Sequence, residues 1–179
     1  METKQRPFAL VGLMGAGKSS VARALGTRLS GTVCDLDALV EAAAETEIAE
    51  LFELEGEAGF RRRETQALER ALEDPLAVLA TGGGIVTQER NRTLLRDRCR
   101  VIWLLVSPAE AARRVRAQVQ VRPLLAGAAV EERLDMLLRE RGPLYEMVAE
   151  LKVPTDGRTA AQVAEAVLTL ANVAPLGGA

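Results

Sequence analysis

The 179-residue chain contains no histidine. That absence removes every mechanism that needs an imidazole, including Ser-His-Asp and Cys-His hydrolysis and histidine-ligated zinc. Aromatic residues are almost as scarce. Phe8, Phe52, Phe60, Trp103 and Tyr145 make up 3% of the chain, too few to build stacking platforms for nucleic-acid bases. The two cysteines, Cys34 and Cys99, form no CxxC pair, and each sits in or beside an apolar run, where a small buried hydrophobe is expected rather than a disulfide. No apolar run reaches membrane-spanning length, and residues 1–6 are polar, without a signal-peptide core. A formal net charge of −2 supplies no basic field for nonspecific nucleic-acid binding. The expectation is a cytoplasmic protein with no membrane or nucleic-acid partner. Its chemistry must run on carboxylates, lysine, arginine, hydroxyls, backbone amides or a borrowed cofactor.

What is present is apolar and periodic. With 48% hydrophobic residues, a chain of this length can bury roughly 70% of its unfolded surface in one core. Short continuous apolar runs at 8–12, 32–34, 76–81 and 101–106, with a weaker one at 151–153, read as strands of a parallel sheet covered on both faces. Amphipathic stretches at 18–29, 37–54, 57–73, 88–98, 108–117, 130–148 and 159–172 read as helices. Strand-helix alternation of this kind predicts a three-layer α/β/α fold around a central five-stranded parallel sheet. One domain is expected over residues 1–175, with 176–179 as a frayed tail. Pro123 and Gly127 break the helical pattern near 118–129, a stretch suited to a small mobile lid.

One motif states its chemistry directly. Gly12-Leu-Met-Gly-Ala-Gly-Lys-Ser19 follows an apolar strand and opens a helical pattern, which is the context of a phosphate-binding loop. The glycines let successive N–H groups turn inward on a phosphate, and the helix adds its positive end. Lys18 can reach the outer phosphates while the Ser19 hydroxyl ligates Mg²⁺. Such a loop specifies a nucleoside triphosphate and says nothing of the acceptor. Asp35 and Asp37 end the second strand, where ligands of open parallel sheets bind; one could serve a metal and the other a hydroxyl, although Asp37 could equally cap the next helix. Arg61, Arg62 and Arg63 are consecutive on a helix, so one or two at most can face a cleft. Thr81-Gly-Gly-Gly84 ends the third strand and either admits a ligand to the backbone or forms a tight turn. Arg141 could bind a ligand or complement a helix C-terminus. Basic residues are strongly skewed, with 20 arginines to three lysines, and composition accounts for most of them.

Read in order, the loop 12–19, Asp35-Leu-Asp37, the segment from Ile48 to Arg61, Thr81-Gly-Gly-Gly84, Arg122-Pro-Leu-Leu and Arg141-Gly-Pro-Leu-Tyr145 resemble the shikimate kinases, a nucleoside-monophosphate-kinase-like branch of P-loop proteins. The resemblance runs from about Phe8 to Val167. It implies ATP-dependent phosphorylation of the 3-hydroxyl of shikimate in aromatic amino-acid biosynthesis, with Mg²⁺ as cofactor and a monomeric enzyme. It implies catalytic roles for Lys18, Asp37 and Arg122, and ATP contacts from Gly15, Ala16, Gly17, Lys18, Ser19, Ser20, Arg122 and Arg158. Shikimate would be held by Asp37, Arg61, Gly83 and Arg141, and the metal by Ser19 and Asp35. Two stretches depart from the family pattern: Ala43-Ala-Glu45 stands where Arg-Thr-Gly is frequent, and Gln-Val-Gln-Val precedes Arg122. The alternatives are another small-molecule kinase such as a gluconate kinase, a nucleoside monophosphate kinase, or a non-catalytic ligand-sensing domain. The last would bring a DNA-binding segment, for which the few residues before the first strand leave no room.

Overall fold

The sheet is organised around β1 (Phe8–Val11), whose four residues are all buried. A computed structural model describes residues 6–118 and 128–172. Strand order is β2 (Val33–Asp35), β3 (Val78–Ala80), β1, β4 (Arg100–Leu105), β5 (Leu151–Pro154), and every pairing is parallel. The period-2 alternation of a strand sends neighbouring side chains to opposite faces. Phe8 and Leu10 accordingly enter one core with α1 (Lys18–Leu29), α5 (Pro108–Gln118), the first half of α6 (Ala128–Val148) and α7 (Ala160–Leu170). Ala9 and Val11 enter the other, with α2 (Leu36–Ala44), α3 (Ile48–Ala71), α4 (Glu89–Arg98) and the end of α6. The expected three-layer α/β/α architecture is what forms. Each fully buried leucine or valine in these cores contributes about 1.5–3 kcal/mol.

β1 and β3 are neighbours, yet the helices that follow them leave towards opposite faces, α1 to the first core and α4 to the second. This is a topological switch point, and it opens a crevice beyond the carboxyl ends of both strands. The phosphate-binding loop and the glycine run therefore lie side by side.

One expected helix is two. The stretch 37–54 is interrupted at Glu45, which adopts a left-handed conformation (φ 56°) and ends α2. The chain restarts at Ile48, whose N–H donates to Glu41 Oε1 at 3.0 Å. The boundary expected near residue 56 is a kink: Gly56 (φ 67°, ψ −178°) is non-helical inside α3. Its positive φ is cheap only for glycine, and it lets one helix bend around the sheet edge. Cys99 is fully buried, as expected of a small hydrophobe, and burial raises its thiol to about 12; Cys34 is only half-buried, and both are free.

Candidate active site

Two cavities open along the carboxyl edge of the sheet. The first, about 670 Å³, is floored by residues 14–21 and walled by Thr81, Arg113, Arg114, Thr155 and Arg158. The second, about 590 Å³, is lined by Phe52, Phe60, Arg61, Glu64, residues 82–84, Leu134, Leu137 and Arg141. Among the described residues, Met14, Asp37 and Gly83 belong to both linings.

The first cavity is built by backbone. Gly15 and Gly17 have φ of 79° and 88°, and a Cβ on Gly15 would meet the Ala111 carbonyl oxygen at 2.7 Å. Gly17 caps α1 without any side-chain hydrogen bond, so the first N–H groups of that helix are left for an anion. Lys18 is 9% exposed and donates from Nζ to the carbonyls of Gly12 at 2.9 Å and Leu13 at 2.8 Å. Burial lowers its pKa to about 8, a shift that the charges of Asp37 and Asp35 oppose. Arg114 ties the loop to the far wall. It donates to the Gly15 carbonyl at 3.2 Å and the Thr155 carbonyl at 2.6 Å, and pairs with Glu110 at 2.7 Å.

The second cavity is built by side chains. Asp35 caps α2 by accepting the Asp37 N–H at 3.2 Å. The capping role open to Asp37 thus belongs to Asp35, and Asp37 is free to face both cavities. Burial first, and then the Asp35 charge, raise the Asp37 carboxyl above its ordinary range, with Lys18 pulling the other way. The glycine run makes room for this chemistry. A Cβ on Gly82 would lie 2.8 Å from both Asp37 Oδ1 and Glu64 Oε1, and one on Gly84 would lie 2.2 Å from Arg61 Nη2. Glu64 is fully buried and accepts from Arg61 Nη1 at 2.8 Å, while its Oε1 has no partner among the described residues. Of the three consecutive arginines only Arg61 enters the cavity; Arg62 is exposed and Arg63 pairs with Glu55 at 2.5 Å. Phe52 and Phe60 stack at 4.7 Å to form an apolar wall. Arg141 comes from α6, and on the same helix Tyr145 donates its hydroxyl to the Gly83 carbonyl. An apolar wall in the same lining as Arg61, Arg141 and Asp37 suits a small anionic ligand that also carries polar groups.

The family model described as shikimate kinase matches residues 14–172. This chain belongs to the shikimate kinase family. A shikimate kinase of Synechococcus sp. (strain CC9605) is 44% identical over 165 residues, covering 92% of this chain and 82% of that protein. The structure of a shikimate kinase from Acinetobacter baumannii, solved in complex with shikimate, superposes with a TM-score of 0.87 at 38% identity, covering 94% of this chain and 93% of that one. A gluconokinase from Sinorhizobium meliloti 1021, at 16% identity and a TM-score of 0.63 over 94% of this chain and 93% of that one, shares the fold alone. As a shikimate kinase, the protein phosphorylates shikimate at the expense of ATP. No described helix is long and apolar enough to cross a membrane.

Within this shikimate kinase the structure gathers Gly15, Ala16, Gly17, Lys18, Ser19, Ser20 and Arg158 around the first cavity, and Asp37, Arg61, Gly83 and Arg141 around the second. Arg158 is exposed at the rim. Arg122 and most of the expected lid at 118–129 lie outside the described residues; α5 continues to Gln118 and α6 begins at Ala128. Three residues were not singled out from sequence: Arg114, Glu64 and Tyr145. Two of them have a spacing signal. Glu64 stands at helical pairing distance from Arg61, and Glu110 from both Arg113 and Arg114. Tyr145 closes the Arg141-Gly-Pro-Leu-Tyr145 motif, where the sequence gives it no role of its own.

Proposed function

We propose that the first cavity takes the triphosphate of ATP, that the second takes shikimate, and that the γ-phosphoryl group passes to the 3-hydroxyl where the two meet. The observation that carries this reading is Asp37, among the described residues the one carboxylate lining both cavities. From the first turn of α2 it can hold the acceptor hydroxyl in line with the transferring phosphorus and take up its proton. Phosphoryl transfer asks for positioning and charge stabilisation more than covalent chemistry. Lys18, released from the loop carbonyls onto the phosphates, supplies a buried cation whose charge is undiluted by water. Arg61 and Arg141 grip the shikimate carboxylate beside the Gly83 backbone, and the Phe52–Phe60 wall covers the ring. Gly15, Ala16, Gly17 and Ser20 hold phosphates, Arg158 serves the nucleotide from the rim, and the resemblance assigns Arg122 to closing charge over the phosphates.

Mg²⁺ fits the donors present. Ser19 offers a hard oxygen in the lining of the first cavity, Asp35 stands outside that lining with its charge acting on Lys18, and no cluster of three His, Cys, Asp or Glu that would cage a metal occurs among the described residues. A cation held by two protein groups and by phosphate oxygens is the usual arrangement for Mg²⁺. Bound there, the cation would supply positive charge against the phosphates. Asp35 would hold the cation through water while one of its oxygens caps α2.

The deciding experiment measures ADP release with shikimate, gluconate and nucleoside monophosphates as acceptors. Turnover with shikimate alone is expected; equal turnover with gluconate would overturn the assignment of the second cavity to shikimate. The reading further takes the enzyme to act as a monomer in the cytoplasm, with ATP and shikimate as its partners. A sedimentation experiment giving a dimer would change the first of these.

A further inference from the structure

α6 lines the acceptor cavity along its length as far as Arg141, and Tyr145 follows one turn later. Arg141 and Tyr145 are four residues apart on this helix, so both side chains leave the same face. Arg141 lines the cavity. Tyr145 is fully buried behind it, packs its ring at 5.6 Å from Trp103, and donates its hydroxyl to the Gly83 carbonyl. The Arg141 guanidinium, one turn away on the same helix face, acts on the same hydroxyl by its charge. One oxygen thus sits between the two groups that the proposed function assigns to the shikimate carboxylate, the Gly83 backbone and Arg141.

The arrangement has a physical consequence. Gly83 lies in a run of three glycines with no side chain of its own to fix the peptide planes, and glycine backbone is the most expensive to order. A peptide unit is planar, so holding its carbonyl oxygen fixes the direction of the N–H that follows. Burial raises the Tyr145 hydroxyl to about 12, above the opposing pull of Arg141, so it remains a donor across the neutral range. The hydroxyl does not line the cavity and has no atom to offer the substrate.

We propose that Tyr145 is a positioning residue for acceptor recognition: its hydroxyl locks the Gly83 peptide and the Arg141 guanidinium to one another so that both meet the same carboxylate. This rests on the reading of Arg141 as a carboxylate ligand. Removing the hydroxyl frees both groups and weakens binding of the acceptor, while nucleotide binding and the transfer step stay as they are.

The test is Tyr145→Phe in the full chain, which keeps the ring against Trp103 and deletes one oxygen. The expected result is a rise of about tenfold in KM for shikimate, the size of one hydrogen bond to a charged group, with kcat and KM for ATP unchanged to within about twofold. Trp103, the only tryptophan of the chain, gives a direct reading, because shikimate titrated against its fluorescence should show the same loss in affinity. A double-mutant cycle with Arg141→Lys separates this proposal from the reading beneath it. If Arg141→Lys leaves KM for shikimate unchanged, the carboxylate reading itself fails. If Arg141→Lys raises it and Tyr145→Phe does not, or if Tyr145→Phe lowers kcat and raises both KM values together, Tyr145 is only a structural buttress. If both raise it, Tyr145→Phe should add less than about twofold on the Arg141→Lys background. Additive effects would overturn the coupling. The methyl ester of shikimate, which lacks the charge, should be turned over equally by the parent and by Tyr145→Phe; a loss on the ester as large as on shikimate would also overturn it.

Discussion

The two cavities of this kinase are made of different materials. The nucleotide side takes most of its floor from one unbroken stretch, residues 14–21, and offers backbone N–H groups and a helix end. The acceptor side draws Asp37 from α2, Arg61 and Glu64 from α3, three glycines from the end of β3 and Arg141 from α6. A phosphate is the same in every nucleotide, so a local loop can recognise it. An acceptor is recognised by charged side chains converging from distant parts of the chain, and each must be desolvated and held. The cost shows in the titration of the buried groups, since burial pushes the Asp37 and Glu64 carboxyls up.

Under this division, substitutions sort by side. The largest effect is expected from Lys18→Met. It should lower turnover by about 10³-fold or more, even at saturating shikimate, measured as ADP release; turnover within an order of magnitude of the parent would remove Lys18 from its role. Asp37→Asn comes next, because the residue belongs to both sides. Its kcat should fall about 10²- to 10⁴-fold while calorimetric ATP affinity is kept, and a parallel loss of ATP affinity would erase the boundary drawn here. Gly84→Ala acts on the acceptor side alone. The new methyl group displaces the flexible end of Arg61, 2.2 Å from the added carbon, and KM for shikimate should rise about tenfold or more with KM for ATP and Tm little changed.

The smallest effect is one of stability. Burial raises the Glu64 carboxyl above 4.5 against the pull of Arg61, so the folded chain holds this proton more tightly than the unfolded chain. Its stabilising contribution is complete below pH 4.5 and is lost as pH rises through the folded-state value. Glu64→Gln cannot ionise and still offers Arg61 an acceptor. Its Tm relative to the parent should therefore increase between about pH 4 and about pH 7. A difference that stays flat with pH would show that the carboxylate carries no burial penalty.

The same division governs what could be read from the sequence. The phosphate-binding loop was legible because its chemistry is contiguous: strand, glycines, lysine and hydroxyl stand within twelve residues of Phe8–Ser19. The strands were legible because a sheet buried on both faces gives unbroken apolar runs. Asp37, Arg61 and Arg141 stood out singly, but nothing in their spacing showed that they meet, and the resemblance to a family supplied that. Glu64 does not stand out in the sequence, because a glutamate three residues from an arginine is ordinary on a helix surface and its burial is a tertiary fact. The break at Glu45 was missed for a similar reason. A non-glycine residue in the left-handed region carries no local mark, and the side chain of Glu41 stabilises the restart of the helix from seven residues away.

The partition between the two cavities is thin. Since Met14, Asp37 and Gly83 are the only described residues with a face on each side, a single molecule could occupy both compartments. A nucleotide tethered through a short oxyanion bridge to a cyclic carboxylate would bring its second half to the site at an effective concentration set by the tether, about millimolar for a short flexible link. Such a bisubstrate ligand would draw its selectivity from the acceptor half, since the nucleotide half fits a loop shared by many enzymes. The design rule that follows is to keep the bridge short enough to pass Asp37 without displacing it.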